Sequence, residues 1–177
     1  MNIENFISKS IGEWKSMRSV HSLAFNHFDE YTGIIKITRL NVNDKQIASM
    51  QNINDNIKDK VVSPFHMEWN SINLSDEYQD SDHNVGHTIL LPIPKNNSTG
   101  MIIRSQGYSE AMEVSSHYEF NDEESIILRT SYENIFTEER IWFISDNVRC
   151  RTSVIKTKDS KGILKTSFST EIKKIHV

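Results

Sequence analysis

Residues able to do chemistry cluster late in the chain. Over Val148 to Thr157 the strand-like alternation puts Arg149, Arg151 and Ser153 on one face and Val148, Cys150, Thr152 and Val154 on the other. Guanidinium forks match carboxylates or phosphates in bidentate geometry, so an inward face would demand an anionic ligand or acidic partners. An outward face would be an ordinary solvated surface, and the alternation alone leaves the choice open. Arg18, near the start, supplies a third positive group if the first and last strands meet in a closed sheet. The segment before carries Glu138, Glu139, Arg140 and Trp142. A carboxylate turned inward there would either pair with the arginines or accept hydrogen bonds from ligand N–H groups. Phe65, Met67 and Trp69 share a parity and form either plain core or the wall of a site for a large flat ligand.

Other chemistries find little support. His83-x-x-x-His87 has metal-ligand spacing but lies in a polar stretch without an accompanying Glu, and no metal site is expected. No G-x-S-x-G, P-loop or G-x-G-x-x-G occurs. The lone cysteine, Cys150, excludes an internal disulfide and a thiolate-rich metal centre, and reads as a small buried hydrophobe.

The elements that must position these residues are mostly strands. Ile3, Phe6, Ile7 and Ile11 mark a short N-terminal helix with Asn2 as its N-cap, stopped by Gly12. The spacing of Ile47, Met50 and Ile57 predicts one further helix over Asp44 to Ile57. Strands are expected over Gly33–Val42, Val62–Ile72, His87–Ile93, Met101–Gln106, Val114–Phe120, Ser125–Tyr132, Phe136–Ser145, Val148–Thr157 and Ile163–Ile175. Hairpin signals at Asn121-Asp122, Glu133-Asn134, Asp146-Asn147 and Asp159 to Gly162 separate the later ones. Such spacing points to an all-β antiparallel sandwich or barrel. Gly12-x-Trp14 at the helix-to-strand junction favours a lipocalin-like up-and-down barrel whose bottom is plugged by an aromatic ring.

Bulk properties agree. The 177 residues carry 20 basic and 24 acidic side chains, a formal charge of -4 that argues against a general nucleic-acid binder. Residues 1–177 are read as a single domain. The longest apolar run, around Ile89 to Ile93, is too short to span a bilayer and contains Pro92, and Met1 to Ser10 lacks the features of a secretory signal. A cytoplasmic protein without membrane insertion is expected.

Several segments then carry a family resemblance. They are Gly12-x-Trp14-x-Ser16-x-Arg18-x-x-His21, Met67-Glu68-Trp69, Arg104-x-x-Gly107-Tyr108-x-Glu110, Thr130-x-Tyr132-Glu133, Glu139-Arg140-Ile141-Trp142-Phe143 and Asn147-Val148-Arg149-x-Arg151-Thr152-Ser153. In these the chain resembles the S-type (CpcS/CpeS) phycobiliprotein lyases, which attach linear tetrapyrroles to cysteines of phycobiliproteins. The resemblance implies a barrel of about ten strands holding a bilin without a covalent bond. It implies Arg18, Arg149 and Arg151 at the bilin propionates, and Glu139 at the pyrrole nitrogens. The acid/base role falls to Glu139 with Arg149 beside it. Met67, Trp69 and Ser153 would line the pocket, and His21 is a lesser candidate.

No permanently bound cofactor is implied. The transferred ligand would be phycoerythrobilin, favoured by an Asn-, Ile- and Lys-rich composition that suggests a marine cyanobacterium or alga, or phycocyanobilin. The acceptor would be a phycobiliprotein subunit, phycoerythrin β foremost, in the cyanobacterial cytosol or plastid stroma, and a homodimer is compatible with the family. The alternative is a non-catalytic bilin or haem carrier. Two departures from the family pattern, Cys150 and Ser169-Thr170-Glu171-Ile172-Lys173, are expected to lie away from the pocket.

Overall fold

The computed structural model describes residues 1–50, 55–74, 84–105, 114–158 and 162–175. Helix α1 (Ile3–Ser10) leads directly into the first strand. The Asn2 side chain accepts from the Asn5 N–H at 2.9 Å, satisfying one of the donors that a helix start leaves orphaned. Ile3, Phe6 and Ile7 turn into the protein as their spacing predicts. Gly12, at φ +130°, makes the turn from helix to sheet in a backbone region that disfavours any side chain.

Ten strands follow: β1 (Gly12–Ser22), β2 (His27–Arg39), β3 (Phe65–Asn73), β4 (Asn84–Pro94), β5 (Thr99–Arg104), β6 (Val114–Phe120), β7 (Ile126–Tyr132), β8 (Ile135–Ser145), β9 (Val148–Thr157) and β10 (Ile163–Lys173). Each pairs antiparallel with its sequence neighbours, and β1 pairs with β10 to close the barrel. The expected fold class holds, with β6 and β9 falling on their predicted residues. The largest boundary difference is β2, which begins six residues before the expected Gly33. Asp29 interrupts the apolar alternation there, but at the barrel rim it accepts from the Asn73 amide and contacts His27.

The continuous helix expected over Asp44–Ile57 is instead two single turns, α2 (Lys45–Ala48) and α3 (Asp55–Lys58), and residues 51–54 lie outside those described. Poor helix formers in that stretch leave packing to decide. Ile47 and Met50 cover Ile89 and Leu91 on the outer wall of β4, which is why β4 is apolar on both faces.

Inside, the lower half of the barrel is solid. Trp14 is fully buried and donates its indole N–H to the Ser10 carbonyl at 2.8 Å. Phe6 and Phe143 meet edge to face at 5.4 Å, and Trp14 and Phe143 sit 6.2 Å apart. Together with α1, Ile37, Phe65, Leu90, Ile126 and Ile141 they close this end. Among the described residues no helix is long and apolar enough to cross a membrane.

Candidate functional site

Above the plug the inward positions switch from apolar to charged. They surround a cavity of about 470 Å³, within the range of about 300–1,000 Å³ usual for small-molecule sites. Register explains the switch. Arg18 on β1 lies opposite Ser169 on β10, which lies opposite Arg151 on β9. One row further from the plug, Val20, Ser167, Ser153 and Glu139 form a second line across β1, β10, β9 and β8. The face of β9 that carries the arginines and Ser153 is therefore the inside of the barrel.

Glu139 is nearly fully buried between two guanidinium groups. Arg104 Nη2 donates to its Oε2 at 3.1 Å, and Arg151 Nε stands 4.0 Å from its Oε1. The first bond crosses the lumen, because β5 and β8 are not neighbours in the sheet. Arg18 is held with its guanidinium 4.9 Å from the Tyr31 ring, an arrangement that restrains it while leaving its charge toward the cavity. Met67 and Trp69 form one wall from β3, and Ser153 lies in the opposing one.

Two residues expected at the ligand are elsewhere. His21 has the opposite parity to Arg18 and Val20, so it projects from the outer surface and packs on Phe28 at 4.7 Å. Arg149 does point inward, but one row too low. It lies beneath the cavity floor, with its guanidinium 4.4 Å from the Trp14 ring and an ion pair to Glu171. Both partners are almost wholly buried. Arg149 thus holds Glu171, and Glu171 is the residue that faces the cavity. Its Oε1 is buried with no hydrogen-bond partner among the described residues. Lys173, also over the Trp14 ring at 4.9 Å, has its ammonium pKa lowered by burial and then by the neighbouring Arg149 charge.

Ser169 and Glu171 therefore correct the expectation that the divergent β10 segment avoids the pocket, since both line it. Cys150 does stay outside the lining, buried on the outer wall in register with Trp142 and Thr170. Arg104 and Glu171 were missed as site residues. A signal existed for each: Arg104 ends the apolar run Met101-Ile102-Ile103, and Glu171 continues the polar parity of Ser167 and Ser169 beside the arginine strand. His83 of the proposed metal spacing lies outside the described residues, while His87 is on the outer wall against His66 at 5.4 Å. Among the described residues no group of three or more His, Cys, Asp or Glu could hold a metal.

The position of the Trp69 wall depends on a glycine. Gly86 on β4 pairs with Trp69 across the strands, and a Cβ there would come within 2.3 Å of the indole Cζ2. The Gly86→Ala variant should push the indole into the cavity at a cost of about 1–3 kcal/mol in folding stability. Thermal unfolding checks this, and the cost should shrink when Gly86→Ala is made in a Trp69→Phe background.

The cavity lining is cationic. Arg18, Arg104 and Arg151, with Arg149 just beneath, stand against Glu139 and Glu171, an excess of two positive charges, while Lys165 at the mouth is exposed. Burying unbalanced charge is costly, so such a cavity favours an occupant bearing two negative charges and a flat apolar body for the Met67–Trp69 wall.

The model of the CpeS-like protein family matches residues 2–174. Chromophore lyase CpcS/CpeS 3 of Trichodesmium erythraeum is 37% identical over 175 residues, covering 98% of this chain and 99% of that protein. A CpeS protein of Microchaete diplosiphon, named a candidate phycoerythrobilin lyase, is 36% identical over 160 residues, covering 89% of this chain and 70% of its own length. The structure of the S-type phycobiliprotein lyase CpeS from Guillardia theta matches with a TM-score of 0.83 at 28% identity, covering 100% of this chain and 95% of that one.

Proposed function

The chain belongs to the CpeS-like family, and on that premise we propose that it is a bilin lyase. Residues 1–177 act as one cytosolic or stromal domain that binds a linear tetrapyrrole non-covalently and passes it to a cysteine of a phycobiliprotein subunit. The observation that carries this reading is the doubly cationic cavity with an aromatic wall. A bilin is a flat conjugated chain with two propionates, so it supplies the two missing negative charges and the apolar body together. Phycoerythrobilin is the favoured chromophore, supported by the name of the Microchaete relative, and phycoerythrin β is the acceptor we favour with it.

In the proposed reaction the acceptor thiolate adds to the exocyclic ethylidene carbon of the bilin A-ring. A C–S bond forms, the C=C π bond gives up its electrons to the conjugated ring, and a proton returns to the ring, so no oxidant or reductant is needed. Arg18 and Arg151 take the propionates as charge-assisted pairs. Glu139 faces the pyrrole nitrogens and stabilises the protonated chromophore, with Arg104 and Arg151 holding it in place. Glu171, which also lines the cavity, places a second carboxylate near the chromophore. Holding one extended conformer limits where the thiolate can attack, which is how the protein would control the stereochemical outcome.

Mixing the protein, phycoerythrobilin and apo-acceptor should yield an adduct that survives denaturation and has the native absorption maximum. An adduct forming equally well without the protein would overturn the lyase reading, and binding without any adduct would favour the carrier alternative. Arg18→Ala and Arg151→Ala should each weaken bilin binding about tenfold or more, the value of a charge-assisted hydrogen bond, and the bilin dimethyl ester should bind the unaltered protein comparably weakly. Equal affinity for ester and acid would remove the propionates from the recognition.

A further inference from the structure

The two ends of the barrel are built differently. At the plugged end the turn tips are polar, Lys95 to Ser98 between β4 and β5, Asn121 to Glu124 between β6 and β7, and Asp146-Asn147 between β8 and β9, and the exposed Ile144, Ile172 and Ile175 lie on the flanks of the chain rather than at the tips. At the open end, exposed apolar side chains stand at or beside the described turns. Between β1 and β2 the chain runs Leu23-Ala24-Phe25-Asn26, and Phe25 is 83% exposed. Leu74, Val85, Ile135 and Ile163 are exposed around the same rim. A tight turn in a globular protein usually carries polar residues, so an apolar tip needs a reason. It is also firmly held, because the N–H groups of both Leu23 and Ala24 donate to the Leu164 carbonyl at the start of β10. The turn that carries Leu23 and Phe25 is thereby tied to Leu164, the sequence neighbour of Ile163.

We infer that this rim, centred on Leu23, Phe25 and Ile163, is the docking surface for the folded protein that presents the acceptor thiol. The inference rests on the lyase reading and deepens it. With α1 and Trp14 closing the far end, a macromolecular thiol reaches the cavity through the mouth, and whatever carries that thiol must rest on the surrounding turns. Apolar groups that are preorganised and solvent-exposed lose little on being covered, which is how such patches bind proteins. A bilayer is the less suitable occupant, because the chain's charge of -4 opposes an anionic membrane surface. A second copy of the chain would seal the cavity from the acceptor.

The test uses the full chain with phycoerythrobilin and apo-phycoerythrin β. Phe25→Asp and Leu23→Glu are compared with Asn97→Asp at the plugged end. All three variants should bind phycoerythrobilin with the affinity and spectrum of the unaltered protein. Transfer should fall about tenfold or more in Phe25→Asp and Leu23→Glu, with the loss in KM for the acceptor, and should hold in Asn97→Asp. Intact bilin binding with unchanged transfer overturns the docking surface while leaving the lyase reading in place. Equal slowing by Asn97→Asp, flotation of the unaltered protein but not Phe25→Asp with anionic vesicles, or a dimer that Phe25→Asp converts to monomer would each also overturn it. Failure of the unaltered protein to bind bilin at all would strike the lyase reading itself.

Discussion

Replacing Arg149 by alanine should lower folding stability by about 3–5 kcal/mol, a large part of the roughly 5–15 kcal/mol typical of a domain. The reason is not the loss of a favourable pair as such. Arg149 and Glu171 are both almost fully buried, so removing the guanidinium leaves the Glu171 carboxylate stranded without its counter-charge beside Trp14. The cavity floor also loses a large planar group lying over the indole. For a chain of this size the loss corresponds to a fall in Tm of about 10 °C or more. The double variant Arg149→Met/Glu171→Leu should recover most of it, since an apolar pair of similar volume avoids desolvating either charge. Thermal unfolding of the three proteins checks this. A single variant that melts within a degree or two of the unaltered protein would show that Glu171 does not depend on Arg149.

Glu139→Gln should separate binding from transfer. The substitution keeps shape and hydrogen-bonding capacity but removes one of two negative charges in a lining that already has a cationic excess. Electrostatic attraction for a doubly anionic bilin should therefore hold or increase. On the role proposed for Glu139, the chromophore's protonated form would lose the carboxylate held between Arg104 and Arg151. The bound spectrum should shift toward that of the unprotonated bilin, and transfer should fall by about 10²–10⁴-fold, the usual worth of a positioned acid or base. Titration followed by single-turnover transfer measures both. A variant that loses affinity in proportion to transfer, with no spectral shift, would make Glu139 a binding group only.

The two predictions concern residues that look alike in the chain yet act differently in the fold. Arg149 and Arg151 are two positions apart with the same parity, and both were expected at the ligand. Strand geometry makes them share a face, but their height above the plug follows from the register of β9 against β10. One row of about 7 Å separates the floor from the cavity. His21 was misplaced for the complementary reason, since a one-residue offset from Val20 sends a side chain to the other side of the sheet.

Local signals were legible without coordinates. Asn2 announced the helix start because its side-chain oxygen suits an orphan N–H. Gly12-x-Trp14 announced the plug because a positive φ and a large ring are both needed where helix turns into sheet. Turn residues every ten or so positions announced an antiparallel ladder. The gap came where local preference was weak, as in the Asn-rich stretch after Asp44, where α2 is seated by packing of Ile47 and Met50 against the outer wall of β4.

What the chain determined by itself was the alternation, the turns and the inventory of charged groups, because each depends on neighbours within a few residues. Only the closed barrel decided which parity faces inward and which charges meet. The Arg104–Glu139 bond joins strands that are not adjacent in the sheet, and the Arg149–Glu171 pair depends on the register of β9 against β10. The same holds for the excess of positive charge. Arginines scattered over an acidic chain amount to nothing in the sum, and they act on one occupant only after closure brings them around one cavity whose low-dielectric walls focus their common field.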